Sequence, residues 1–288
     1  MIVQKLVQQE GYSVSQACEL LDLPHSSYYY ASHLHQADQI EMALKVEAGK
    51  HPTYGTRRLT HQLRRAPYEY TVNRKRIQRL ARQNGLLRPQ KTRKTRTTNS
   101  QHPYPRYENL VKDLNITHPE QVWVSDITYI RLKKDFVYLA IIMDVYTRSI
   151  RGWSLSPSLD QQLSLEALHM ALSSGLPGIH HSDQGVQYAC YAYVDLLKTQ
   201  NIRISMAAAG KAEENGYAER FMRTIKEEEV NLSDYNNFAD ACSQIGHFIT
   251  DVYLTKRIHS SLGYLTPAEF EAAYWLTLSL DMVEKTPL

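Results

Sequence analysis

A mixed α/β layer fold preceded by small all-helical modules is the architecture the sequence predicts, and three observations carry that expectation. Val122–Ile130, Phe136–Met143 and Arg148–Leu155 are strand-length runs rich in β-branched and aromatic residues. After Ser158, helical and strand-like patterns alternate as far as Ser205, the order of a sheet covered by helices. Ahead of residue 88, by contrast, apolar residues recur at helical spacing.

Composition bounds the rest. The 288 residues suit one main domain of roughly 150 residues with smaller modules beside it. Apolar content of 43% and charged content of 22% are ordinary for a chain that buries a core. No stretch approaches the roughly 18 uncharged apolar residues of a membrane span, and MIVQKLVQQE has no signal-peptide pattern, so no membrane association is expected. Cys18, Cys190 and Cys242 lie far apart with no CxxC pair. That argues against a disulfide framework or structural zinc site and for a reducing cytoplasm.

A net charge of +3 conceals a strong asymmetry. Arg74, Lys75, Arg76, Arg79, Arg82, Arg88, Lys91, Arg93, Lys94 and Arg96 place ten cations within 23 residues that hold no acid. Such a run is the footprint of a polyanion-binding segment. A solvated basic linker is the plainer alternative, but the run begins inside a predicted helix.

In chain order, the first unit (1–36) is helical. Ser13 and Gln16 have capping-box spacing, and Val14, Ala17, Leu20 and Leu21 form an apolar stripe. Asp22-Leu23-Pro24 breaks that helix and Ser26 could cap another, a helix-turn-helix-like pattern that many hairpins share. A His- and Gln-rich connection near His33–Asp38 leads to a second helical module (37–87). There Pro52 and Gly55 supply loop chemistry before a helix carrying Leu59 and Leu63. The next helix sets Ile77, Leu80 and Ala81 on one side and Lys75, Arg79 and Arg82 on another, with Gly85 closing it. One side can dock on a core while the other faces phosphates. Residues 88–114 read as a basic linker rich in Pro, Thr and Ser that orders on nucleic acid.

The main domain (115–275) opens with the three strands. Ser158 and Gln161 have capping-box spacing ahead of a helix bearing Leu165, Leu168 and Leu172. A short strand at Ile179, a helix over 191–200 and a strand over 202–205 follow. Phe238, Ala241, Ile245, Phe248, Ile249 and Val252 then keep helical spacing, and 276–288 is a tail.

Three carboxylates stand out. Asp126, inside WVSDITYI, occupies a predicted central strand, where a carboxylate costs several kcal/mol unless paired or metal-bound. Capping a turn or meeting an arginine would also explain it. Asp183, in HSDQG, follows a short apolar run at a strand's carboxyl edge, where α/β sites gather; an Asx turn is its ordinary alternative. Glu219 follows with 35 residues between, beside a seam of Ala218, Met222 and Ile225 on a helix expected over 213–228. Arg223 and Lys226 extend along nearly the same line, so an i, i+4 pair with Arg223 is its alternative. Glu227, Glu228 and Glu229 read as a solvated acidic run, and His180 and His181, lacking partners at ligand spacing, as structural.

WVSDITYI, DVYTRSIRGW, HSDQGVQY, ENGYAERFMRTIKEEE and RIHSSLGYLTPAEF, in this order and with this gap, resemble the second-frame transposases of the bacterial IS-three insertion-sequence group. HPTYGTRRL and VNRKRIQRL are similar to that group's helix-turn-helix region. The resemblance implies a ribonuclease-H-like integrase core, a mixed five-stranded sheet flanked by helices, with a DDE triad carried onto Asp126, Asp183 and Glu219. It implies two Mg²⁺ ions (or Mn²⁺) per active site, and cleavage at the element's ends followed by strand transfer through transesterification. Arg57, Arg58, Arg74, Lys75, Arg76, Arg79, Arg82, Arg223 and Lys226 become the expected DNA contacts.

Double-stranded DNA, as terminal inverted repeats and target, is the implied partner, with a homo-oligomer assembled on it at the bacterial nucleoid. Group members commonly act fused to an upstream first-frame protein with a leucine zipper; this chain has no heptad repeat, so that protein is expected as partner or fusion, with a form that works alone as the alternative. Two other readings stay open: a catalytically silent DNA-binding regulator, and a nuclease on the same fold.

Overall fold

A computed structural model describes residues 2–24, 34–87, 104–133, 135–208 and 211–284. The chain divides into two compact units, Met1–Arg88 and Pro89–Leu288.

In the first unit, α1 (Ile2–Gln9) packs on α2 (Val14–Leu20), burying Val3, Ala17 and Cys18. The capping box is present: Gln16 N–H donates to Ser13 Oγ at 3.3 Å, and Ser13 N–H to Gln16 Oε1 at 3.1 Å. Ser26 lies outside the described residues. Of the connection expected near His33–Asp38, the described residues 34–38 are instead the start of a long helix, α3 (Leu34–Lys50). Burial of Ile40, Ala43 and Leu44 at helical spacing makes the helix stable enough to draw in the polar residues ahead of it.

Next come α4 (Thr56–Arg64), with Leu59 and Leu63 buried, and α5 (Arg74–Gln83), with Ile77 and Ala81 buried. Asn73 caps α5 by accepting the Arg76 N–H at 2.9 Å. Gly85 ends it in the left-handed region, φ +66, letting Leu86 N–H reach back to the Ala81 carbonyl at 2.8 Å. The expected linker residues 88–103 fall outside the described ones. Residues 104–111 are no spacer: Leu110 N–H donates to Ser205 Oγ at 2.8 Å, Asn109 Nδ2 donates to Glu214 at 2.8 Å, and Tyr104 meets Tyr191 edge-on.

The second unit is built on one sheet. β1 (Val122–Arg131), β2 (Phe136–Asp144) and β3 (Ile150–Ser156) form an antiparallel meander. β4 (Ile179–Ser182) pairs parallel with β1, and β5 (Arg203–Met206) parallel with β4. The order β3-β2-β1-β4-β5 puts β1 at the centre. This is the ribonuclease-H-like arrangement that the resemblance implied.

Strand alternation divides the core in two. Trp123, Ala140 and Ile142 face α6 (Gln161–Leu172), α7 (Val186–Ala189) and α8 (Tyr191–Thr199). Val122, Val124, Leu139 and Ile141 face α9 (Gly216–Ile225) and α10 (Phe238–His247). Gly152 lets α6 close on β3, since a Cβ there would collide with the Ala167 carbonyl oxygen. Asp160, rather than Ser158, caps α6, accepting from Gln162 N–H at 3.0 Å and Leu163 N–H at 3.3 Å. Both are capping residue types; the register in which α6 buries Leu163 and Ala167 selects between them.

The helix expected to run through 213–228 is composite: a 3₁₀ turn (Ala212–Asn215), α9, and a π turn (Lys226–Val230). Its acidic end is not simply solvated. Glu228 forms a bidentate pair with Arg257 at 2.7 and 2.8 Å, with Arg257 buried, and Glu229 accepts from Ser233 and Tyr235. The final helix, α11 (Pro267–Glu284), runs unbroken past residue 275, where a tail was expected.

Candidate active site

β1 pairs with β4 through Trp123↔His180 and Val124↔His181 and no further, so the two strands diverge from Ser125 onward. Extending that register by two residues brings Asp126 level with Asp183, which directly follows β4. Asp126 shares the sheet face of Val122 and Val124, the face that α9 covers, and Glu219 lies in the first turn of α9. Asn215, immediately before α9, donates from Nδ2 to the Ser125 carbonyl at 2.9 Å. That bond fixes the start of the Glu219 helix against the residue preceding Asp126.

Electrostatics report the same convergence. The Asp126 carboxyl is pushed up to about 8, first by burial, then by the Asp183 charge, with Glu219 adding to it. The Ile127 N–H, donating to Oδ1 at 2.9 Å, and the Lys226 ammonium act in the opposite sense. Glu219 itself is exposed. Among the described residues, no three His, Cys, Asp or Glu side chains are gathered tightly enough to enclose an ion. The three acids therefore stand within electrostatic reach of one another rather than at ligand distance. A half-buried carboxyl crowded by two others is nonetheless an all-oxygen, anionic donor set, the kind that hard divalent cations such as Mg²⁺ and Mn²⁺ prefer.

Asp183 does make an Asx turn: its Oδ1 accepts the Gly185 N–H at 2.9 Å. The turn orients the carboxyl and does not compete with a role in the site. A Cβ on Gly185 would sit 2.9 Å from that same oxygen, so the glycine in HSDQG is a steric requirement of the carboxyl's position.

His180 and His181 are structural, as read. His180 Nε2 meets Tyr193 OH at 2.9 Å and His181 Nδ1 meets Ser205 Oγ at 2.8 Å. Burial pulls the first down to about 3 and the second to about 4. Both are neutral packing groups beneath the site.

Of the expected DNA contacts, Arg74, Lys75, Arg79 and Arg82 are exposed on α5, the last three opposite Ile77 and Ala81. Arg76 is half-buried. On α4, Arg57 is exposed, while Arg58 is half-buried with its guanidinium 5.1 Å from the Tyr54 ring centroid. Arg223 is exposed on α9, and Lys226 lies 4.6 Å from the Tyr129 ring centroid. Sequence reasoning passed over Asn215 as a strut and Tyr129 as a neighbour of the site. The Asn-Gly before the helix and the aromatic three residues past Asp126 were the available signals.

Comparison with known proteins places these motifs in context. Residues 116–212 and 200–267 match two families described as Integrase core domain, and residues 35–94 match one described as HTH-like domain. The transposase for insertion sequence element IS629 of Shigella sonnei is 31% identical over 287 residues, 95% of this chain and 96% of that protein. Transposase InsF for insertion sequence IS3A of Escherichia coli (strain K12) is 33% identical over 222 residues, 76% of each chain. The solved HTLV-2 integrase catalytic core domain in complex with magnesium is 18% identical with a TM-score of 0.44, covering 53% of this chain and 97% of that one.

Proposed function

The chain belongs to the integrase-core transposases of the IS-three insertion-sequence group, and from that premise we propose that it cuts DNA at an element's ends and joins the exposed 3′-hydroxyl to a second phosphodiester. It is a DNA transposase, a polynucleotidyl transferase. In this reading Asp126, Asp183 and Glu219 are the catalytic residues and hold the metal. The crowding of Asp126 by the other two acids carries the assignment. A fold gains nothing from crowding a desolvated carboxyl with two further acids, so their convergence points to a cation-dependent task. When bound there, a pair of Mg²⁺ or Mn²⁺ ions supplies activation of the attacking oxygen and stabilisation of the leaving 3′-oxygen.

The protein's own groups do the rest. The Gly185 N–H holds the Asp183 carboxyl in one orientation. Lys226 and Arg223 meet DNA phosphates beside the acids. The cationic face of α5, with Arg74, Lys75, Arg76, Arg79 and Arg82, engages the terminal inverted repeats together with Arg57 and Arg58 of α4. A homo-oligomer assembled on both ends, with an upstream first-frame protein as partner or fusion, works at the nucleoid in the cytoplasm. Among the described residues no helix is long and apolar enough to cross a membrane.

The test is strand joining by the purified chain, with and without a first-frame protein, on a labelled terminal-repeat oligonucleotide. Joining should require Mg²⁺ or Mn²⁺, and Asp183→Asn should abolish it while leaving DNA affinity intact. Wild-type joining by Asp183→Asn would end the assignment, and cleavage confined to RNA–DNA hybrids would favour the nuclease reading. Replacing Lys75, Arg79 and Arg82 by alanine should flatten the salt dependence of DNA binding by roughly one unit of slope per cation.

A further inference from the structure

Tyr129 lies in β1, three residues beyond Asp126, yet is 54% exposed between the buried Thr128 and Ile130. Core packing does not account for it. Its ring instead has two specific neighbours. Phe136, at the start of the antiparallel partner strand, meets it edge-on, with centroids 6.0 Å apart and planes at 74°. Lys226, from the first position of the π turn after α9, brings its Nζ to 4.6 Å from the ring centroid.

Lys226 is half-buried, and its charge is among those that reach Asp126. A lysine stem is flexible, and without a fixed partner its ammonium samples many positions. A carboxylate partner would fix it but would also compete for it with a phosphate. An aromatic face attracts the ammonium through its quadrupole and leaves the full positive charge available to an anion. Phe136 limits the movement of that face from the β2 side.

We propose that Tyr129 is a positioning residue, whose ring holds the Lys226 ammonium on the side of the acids in readiness for a phosphate flanking the scissile bond. The proposal rests on the transposase reading above. It assigns no contact between Tyr129 and DNA; the ring acts through the lysine.

A double-mutant cycle in single-turnover strand joining with Mg²⁺ tests it, with DNA affinity and thermal midpoint measured in parallel. Tyr129→Phe retains the π face and should join at close to the wild-type rate. Tyr129→Leu retains apolar bulk without a quadrupole and should slow joining roughly three- to thirty-fold with its midpoint unchanged. In a Lys226→Gln background, Tyr129→Leu should cause no further slowing, because the group it positions is already gone. If leucine lowers the midpoint, Tyr129→Thr, a strand-favouring residue without a ring, gives the same comparison. Equal slowing with and without Lys226, equal slowing by phenylalanine and leucine, or wild-type joining by Tyr129→Leu would each overturn the proposal. Failure of the transposase reading is distinguishable, since the unsubstituted protein would then join no strands.

Discussion

Asn215 Nδ2 donates to the Ser125 carbonyl oxygen at 2.9 Å, a buried hydrogen bond between residues 90 positions apart. It links the strand carrying Asp126 to the turn that starts the helix carrying Glu219. Two of the three candidate catalytic acids thus owe their spacing in part to one amide.

Replacing Asn215 with alanine should therefore weaken both stability and activity. Losing the bond leaves a buried carbonyl without its partner, which costs about 1–3 kcal/mol, measurable by urea unfolding. A displaced Glu219 helix should slow strand joining on the order of ten- to a hundred-fold. Unchanged joining in a destabilised variant would show that the bond supports the fold and not the site.

Gly185→Ala should separate geometry from stability. The backbone there has φ −69, which alanine adopts freely, so the added methyl acts through its 2.9 Å approach to Asp183 Oδ1. Joining should fall about tenfold or more, while unfolding free energy changes by less than about 1 kcal/mol. Normal joining would mean that the Asp183 carboxyl tolerates a shift.

Asp126→Asn should stabilise the protein in a chelator and silence it with magnesium. Burial and the neighbouring Asp183 and Glu219 charges both disfavour the Asp126 carboxylate, and an amide is subject to neither penalty in full. Thermal unfolding should show an equal or higher midpoint than wild type in EDTA, and loss of the rise that Mg²⁺ gives the wild type. A lower midpoint in EDTA would point to a structural role for the carboxylate.

The buried His180 should make the catalytic unit acid-sensitive. Its folded pKa, pulled down to about 3, lies below an unfolded value of about 6.5. Its contribution to stability is thus complete above pH 6.5 and is lost as pH falls towards 3, because the unfolded chain takes up a proton that the folded one refuses. At pH 5.5 that contribution should be lower by on the order of 1 kcal/mol. His180→Gln should correspondingly shrink the stability difference between pH 7.5 and 5.5, as read by urea unfolding; an unchanged difference would place the acid sensitivity elsewhere.

Much of this was legible along the chain because it depends on near neighbours. Strand-length runs of β-branched and aromatic residues anticipated β1 and β2 to within a residue at each end, and Ser13 with Gln16 announced a capping box that forms. Asp126 could be picked out because a carboxylate in a predicted central strand conflicts with its apolar surroundings, Asp183 because it follows a short strand, and all three acids because their order and spacing resemble a known group.

What the chain alone left undecided are matters of which groups meet through space. Glu228 reads as one of three solvated acids until Arg257, 29 residues on, comes to lie against it. Residues 104–111 read as spacer until Ser205 receives the Leu110 amide. Asn215 becomes a strut because Ser125 lies opposite, and Tyr129 a platform because a π turn delivers Lys226 to its ring. Periodicity and capping chemistry specify which face of an element is apolar and where it ends. They carry no information about which polar partner, dozens of residues away, will be packed against the other face; the three-dimensional arrangement of helices on the sheet decides that.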